Sequence, residues 1–360
     1  MSDRSQHAEP TGRVPLPARL ACALTAGVIG YLLVWSPLHA NPRFAAKDFT
    51  WPWRAARILL QGHDPYVVIQ TTGPFPFSSP FFYPLPAALV AMPFAPLPPD
   101  RAGALFFGIS TALLAFGVTR DGLWRLLLFT AAPYFMAAAN TQWSPLLAAA
   151  ALLPGLQWVG SAKPNLGLAV FVYRPSRWAI VGGAIIIAIS FAVLPGWVSG
   201  WRAALAQTPH HAPPVLRVGG VVLLLALLRW RTREARLLLV MACVPQVLYF
   251  YDQLLLWLVP RTWRQMLALS GASWVGVVGW WAVRPRSGGG LDAAGAWVIG
   301  LVYIPTLLLV LRMRNAGEDG RTALVEPFAR AAEATRQSGW SGQQLADAPA
   351  CRSNDGAACS

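Results

Sequence analysis

Apolar runs separated by short polar breaks fill most of the chain. Crossing about 30 Å of hydrocarbon takes about 20 apolar residues in a helix. Runs of about that length occur at 18–37, 81–97, 102–118, 123–139, 143–160, 178–196, 215–229, 266–283 and 293–312, with a shorter one at 164–173. The run 235–259 is long for one crossing and carries Pro245, Gln246, Tyr249, Tyr251 and Asp252 near its middle. It reads as two short helices meeting at a polar break, since non-helical backbone at membrane depth survives only beside a cavity or inside protein. The pattern predicts an all-α, multi-pass transmembrane bundle of about ten to twelve spans. It divides the chain into a polar tail over 1–16, a membrane domain over 17–314, and a disordered polar tail over 315–360 in which 321–336 can form a short helix.

The first interruption is the longest. Residues 38–79 are too many for a mere connector and form a large first external loop. Within it, 48–61 places Trp51, Ala55, Ile58 and Leu59 at helical spacing, with Arg54, Arg57 and Gln61 elsewhere, the pattern of an amphipathic helix lying in the interface. Gly62 ends that helix, and His63-Asp64-Pro65-Tyr66 reads as a turn. The stretch 72–86, rich in Pro and aromatics, is expected to be extended and at headgroup level.

Composition supports the same class. Charged residues make up 12%, hydrophobic residues 55%, and mean hydropathy is +0.46. The net charge of +14 would point to nucleic acid in a soluble chain, but the arginines sit in clusters between apolar runs, at Arg229 and Arg231, Arg261 and Arg264, Arg312 and Arg314. No nucleic-acid partner is expected. The positive-inside rule puts both tails in the cytoplasm and the first loop outside a bacterial inner membrane, and it leaves Arg120, Arg284 and Arg286 on the wrong side. The first run is read as an uncleaved span rather than a signal peptide, although 37–40 resembles a cleavage site. The four cysteines suggest no disulfide framework.

Several residues have both a functional and a structural reading. Asp48 precedes the amphipathic helix and is either its N-cap or a general base at the membrane surface. Asp64, before Pro65, is first a turn former. Lys47 and Lys163 are the only lysines; each is either suited to a phosphate oxygen or an interfacial snorkelling residue. Asp252 inside an apolar run is a candidate site residue or a helix-end residue. Asn140, Gln142 and Gln246 line a polar cavity or bond neighbouring helices. His210-His211 is a poor metal pair, because adjacent histidines point apart; no metal or cofactor is expected.

The order of these pieces resembles a known family. Asp48-Phe49, Ala55-Ala56, and Leu60-Gln61-Gly62-His63-Asp64-Pro65-Tyr66 look like the first-loop motif of the GT-C type, polyprenol-phosphate-dependent membrane glycosyltransferases of family 87. Tyr83-Pro84 with Pro86, Asn140-Thr141-Gln142 with Leu146-Leu147, Lys163-Pro164 with Arg174 to Trp178, and Pro245 with Tyr249 to Asp252 resemble later family pieces in the same order. The resemblance implies a GT-C fold with Asp48 as the catalytic acid-base residue of the first loop. It further implies an inverting transfer of a hexose, mannose in known members, from a polyprenyl-phosphate donor to a lipid or glycan acceptor. Lys47, Arg54, His63, Asp64, Tyr66, Tyr83, Gln142, Lys163 and Asp252 become the expected substrate contacts, with Lys47, Arg54 or Lys163 offsetting charge on the phosphate. Some family members carry histidines in the late break, where this chain has Phe250, Tyr251 and Asp252. The rival readings are a flippase or transporter of a lipid-linked sugar, for which broken helices also speak, and an envelope assembly protein.

Overall fold

The computed structural model describes residues 14–42, 45–71, 79–208, 210–287 and 291–313, with the backbone alone at 285–287 and 291–292. The helix expected at 321–336 and most of the Pro-aromatic stretch lie outside the described residues. Every regular element described is helical. Three helices are long and apolar enough to cross a membrane: α1 (Leu16–Ala40), a helix that begins at Pro99 and ends its apolar stretch at Asp121, and one over Trp263–Arg284. A bent pair, Arg177–Val193 and Trp197–Ala206, makes a fourth if counted as one span. The other expected spans are built from shorter pieces.

The first loop carries α2 (Thr50–Leu60) and α3 (Pro65–Val68). The chain then enters α4 (Leu85–Ala91), which tightens into a 3₁₀ turn at Met92–Phe94, before α5 (Pro99–Val118). α1 and α5 run antiparallel in close contact. Arg19 Nη2 near the start of α1 donates to Phe116 O near the end of α5 (2.8 Å), and His39 at the end of α1 meets Asp100 at the start of α5 (3.3 Å). Small residues permit this approach: a Cβ on Gly27 would lie 2.9 Å from Ala112 Cβ, and one on Gly108 would lie 2.9 Å from Gly27 O.

This pairing gives the bundle two ends, and it corrects the expected span at 81–97. At 1.5 Å per residue, α4 and its 3₁₀ turn reach about 15 Å, half the hydrocarbon. Both flanks of α4 stay with the first loop: Tyr83 O accepts from the Tyr66 hydroxyl (2.9 Å), and Leu97 O accepts from Trp53 Nε1 (3.1 Å). The segment is one short helix that stays with the first loop and does not run the length of the bundle. α5 therefore runs back to the end where α1 began, and Arg120 lies at the same end of the bundle as Arg19, opposite the first loop.

The next pieces zigzag between the two ends. Residues Leu123–Thr130 (3₁₀) and α6 (Ala132–Asn140) lead to the loop end; α7 (Ser144–Leu152) returns. A 3₁₀ segment, Pro154–Ala162, climbs again, and α8 (Pro164–Tyr173) descends. Proline early in α6, α7 and α8 starts each helix and sets the breaks between them. Next come α9 (Arg177–Val193) and α10 (Trp197–Ala206), bent by 95° at Leu194–Gly196, so that α10 lies across the loop end with Trp201 Nε1 on Phe82 O (2.9 Å). A 3₁₀ segment over Gly220–Arg229 leads to α11 (Arg233–Cys243). As the pattern predicted, 235–259 splits: α11 stops at Cys243, the chain is irregular through Phe250, and a 3₁₀ segment resumes at Tyr251–Leu258. Last come α12 (Trp263–Ser287) and α13 (Gly295–Leu311), the latter with a π turn at Ile299–Tyr303.

One face of many helices is apolar and open, as lipid contact requires. α1 exposes Leu24, Val28 and Ile29, and α9 exposes Ile180, Ile185 and Ile189. The interior is packed by α5, α6, α7 and the Tyr251–Leu258 segment, which is buried throughout.

Candidate active site

Four breaks in the helical pattern meet at the loop end. Asp48 lies in a 3₁₀ turn, Lys47–Phe49, just before α2. The N-cap position of α2 is Phe49, so the capping role weighed for Asp48 is not the one it plays. Its Oδ2 instead accepts a hydrogen bond from Gln142 Nε2, from the turn between α6 and α7. Gln142 Oε1 in turn accepts from Lys163 Nζ at 3.3 Å, and Lys163 Nζ donates to Asp252 Oδ1 at 2.6 Å. One amide thus links a carboxylate to an ammonium, and the ammonium carries a second carboxylate. The orientation of the Gln142 amide follows, since only its NH₂ can face Asp48 while its oxygen faces Lys163. Asp252 is 2% exposed and the Lys163 side chain 14%.

The backbone holding these groups is unusual. Among described non-glycine residues, positive φ occurs at Ala45, Lys47, Thr141 and Phe250 (47°, 53°, 50° and 69°). The last three precede Asp48, Gln142 and Tyr251-Asp252. Each such residue costs about 1–2 kcal/mol, and strain of this kind gathers where surrounding packing serves a function. Two contacts show what enforces it. A Cβ on Gly103, one turn into α5, would lie 3.0 Å from Ala46 Cβ and 3.3 Å from Thr141 Cγ2, so Gly103 is the point at which the Asp48 turn and the Gln142 turn close together. The Phe250 ring packs on Gly276 of α12, 3.0 Å from where a Cβ would stand.

Lys163 is fixed by a tight hairpin of the main chain. A Cβ on Gly167 would fall 2.7 Å from Gly160 Cα, so the 3₁₀ segment and α8 touch backbone to backbone on either side of the lysine. Asn165 Nδ2 donates to Pro245 O (2.9 Å) and ties this hairpin to the break that carries Asp252. Below the break, Gln253 Nε2 donates to Gln246 Oε1 (2.9 Å), and Gln246 Nε2 donates to Met241 O.

Aromatic rings frame the polar chain. Lys163 Nζ stands 5.7 Å from the Tyr251 ring centre. Tyr83 feels the charge of both Asp48 and Asp252, and its ring lies 6.2 Å from that of Trp143. Trp143 also packs on Phe106 (5.0 Å) and Phe49 (6.2 Å). From the loop after α10, His211 comes within electrostatic reach of Asp252.

Asp48 is half-buried, and desolvation pushes its carboxyl above the ordinary range, to about 6; Asp252 adds to the rise, while Lys163, Gln142 and Lys47 oppose it. Burial lowers the Lys47 ammonium, partly offset by Asp48. A carboxyl titrating near 6 is mostly ionised at neutrality while its pKa stays close to the working pH, which suits a proton acceptor.

Of the expected substrate contacts, Lys47, Tyr83, Gln142, Lys163 and Asp252 gather around Asp48. His63, Asp64 and Tyr66 are occupied differently. Asp64 caps α3, accepting from Tyr66 N at 2.8 Å, as its turn chemistry predicted, and the Tyr66 hydroxyl bonds to Tyr83 O. A Cβ on Gly200 would lie 2.9 Å from Tyr66 Cβ, so this tyrosine is a packing post for α10. His63 is exposed beyond the Gly62 turn, where φ is +77°. Arg54 lies farther along α2, in reach of Arg57. The sequence did not single out Trp143, whose only signal is its place after Gln142, nor did it link His211 to Asp252. Among the described residues no group of three or more His, Cys, Asp or Glu could hold a metal. An apolar groove of about 470 Å³ opens elsewhere, between α1, α5 and α6, lined by Cys22, Ile29, Leu33, Thr111, Tyr134 and Phe135. No protein-family model, curated protein or solved structure matches the chain.

Proposed function

We propose that the chain is a membrane glycosyltransferase of GT-C-like architecture. It moves a hexose, mannose by resemblance, from a polyprenyl-phosphate carrier to a lipid or glycan hydroxyl at the outer face of a bacterial inner membrane. The observation that carries this reading is the chain Asp48–Gln142–Lys163–Asp252. It is drawn from four separate segments and sits at the end of the bundle opposite Arg19, Arg120 and Arg261. The same residues carry the family resemblance.

The chemistry follows from the donors and acceptors. Asp48 Oδ2 is engaged by Gln142; its other oxygen is the one to accept the proton of an acceptor hydroxyl. As that O–H bond breaks, the hydroxyl oxygen forms a bond to the anomeric carbon, and the bond from that carbon to the phosphate oxygen breaks on the opposite face. The configuration inverts and the electron pair leaves with the phosphate. Lys163 has three N–H donors and places two on Asp252 and Gln142, which leaves one for a phosphate oxygen. Asp252 accepts from the lysine at 2.6 Å and fixes its position in a buried setting. Lys47 supplies a second cation beside Asp48.

The experiment is transfer from radiolabelled polyprenyl-phosphate mannose by purified full-length protein in lipid. Labelled product that vanishes in Asp48→Asn, with carrier binding retained, supports the proposal. Undiminished transfer in that variant places the base elsewhere. Passage of intact carrier between leaflets without product identifies a flippase instead.

A further inference from the structure

The opposite end of the bundle carries a second constellation, independent of the proposed chemistry. Glu234, at the start of α11, is 4% exposed, and its Oε1 accepts from both Arg233 Nε (3.3 Å) and Arg261 Nη2 (3.4 Å). The Arg233 guanidinium also covers the Tyr173 ring at 5.2 Å. Arg125 interacts with the same Tyr173, Arg233 and Glu234 and with Asp121, while its buried Nε has no partner. Arg236 joins from the next turn of α11, bonded to Val172 O and Arg231 O. Three guanidiniums, of Arg125, Arg233 and Arg261, thus stand about two carboxylates, with Arg236 held nearby on backbone carbonyls. Arg233 and Arg261 are about half exposed (52% and 53%), and each spends one of its five donors on Glu234.

The depth of this cluster is marked by tryptophan. Trp178, Trp230 and Trp263 are 49%, 57% and 44% exposed, each next to an arginine, as interfacial tryptophans are. Apolar side chains open to lipid adjoin them, Leu228 at 68% and Ile180 at 64%. The Gly220–Arg229 segment, which exposes Leu228, packs on α11, so a ligand here meets arginine forks with exposed apolar side chains of that segment beside them.

We infer that the Arg125–Arg233–Arg261 cluster binds the phosphodiester headgroup of an anionic phospholipid, whose acyl chains lie along the adjoining apolar surface. Guanidinium forks match phosphate oxygens two by two, and a basic pocket between membrane helices is a ready site for such a headgroup. Free inorganic phosphate offers the same oxygens but no chains, and the apolar wall decides for the lipid. Filling the site ties the Leu123–Thr130 segment and α11 to the segment before α12.

Native mass spectrometry of the full-length protein, titrated with dioleoyl phosphatidylglycerol or dioleoyl phosphatidylcholine at physiological salt, tests this. Phosphatidylglycerol is expected to be retained in preference to phosphatidylcholine. The triple variant Arg125→Gln/Arg233→Gln/Arg261→Gln should hold it about tenfold more weakly or worse, while Arg202→Gln, on α10 at the other end, should hold it as the parent does. A Lys triple variant at the same positions guards against misfolding: charge is kept, the fork is lost, and retention should fall between the two. Inorganic phosphate should compete poorly. Equal retention of the two lipids by the parent, equal retention of phosphatidylglycerol by the Gln and parent proteins, or displacement by inorganic phosphate alone each overturns the inference.

Discussion

Lys163 and Asp252 lie 89 positions apart and meet at 2.6 Å, with the carboxylate 2% exposed. Both belong to breaks in apolar helices. Removing one partner of a buried pair leaves a charge with neither water nor counter-ion. Lys163→Ala is therefore expected to destabilise the protein by about 3 kcal/mol or more, whereas the paired replacement Lys163→Met/Asp252→Leu should recover most of the loss. Denaturant unfolding in micelles of the two variants checks this; a double variant no better than the single one counts against the pairing.

The carboxyl of Asp48 sets a pH dependence with a defined sign. Its folded-state value is raised to about 6, so the fold prefers the protonated form. The contribution of Asp48 to stability is present at low pH and is lost as pH rises from the ordinary carboxylate range through about 6. Asp48→Asn should flatten the thermal-stability profile over that interval. Transfer activity should run the other way, because the base must be ionised: kcat/KM falls about tenfold per pH unit below about 6 and levels off above it. A midpoint near 4 would show the carboxyl to be fully solvated.

At Gly103 the interval between a Cβ and its neighbours is tight but not closed, 3.0 Å to Ala46 Cβ and 3.3 Å to Thr141 Cγ2. Gly103→Ala should be tolerated with a small shift. Gly103→Val drives the Asp48 and Gln142 turns apart and should cost about 1–3 kcal/mol. Transfer should drop more steeply than stability across the two variants. Parallel losses in both readouts would make Gly103 a packing residue without influence on the site.

Gly167 is stricter. Its neighbours are the backbone atoms of Gly160, which cannot rotate away. Gly167→Ala must open the hairpin around Lys163, with a cost of about 1–3 kcal/mol and a weakened Lys163–Asp252 pair. The pair's loss is read in a double-mutant cycle with Asp252→Asn, where the coupling seen in the parent should shrink.

Hydrophobic length and spacing already specify much of this protein. They fix its helical class, the amphipathic α2, the cap at Asp64, the end at Gly62 and the split of 235–259, because each depends on neighbours within a few residues. The same local logic marks Asp48, Gln142, Lys163 and Asp252 as polar groups at breaks. It cannot say that they touch. Three left-handed turns at Lys47, Thr141 and Phe250, and two glycine contacts at Gly103 and Gly167, bring them together, and those depend on what packs from distant parts of the chain. Nor does an apolar run disclose whether it crosses or turns back. The segment holding α4 has the composition of a span, yet Trp53 and Tyr66 hold both its flanks to the first loop, and that choice moves Arg120 to the opposite end. Composition sets which segments leave water; long-range packing decides how far they travel and which side chains they meet.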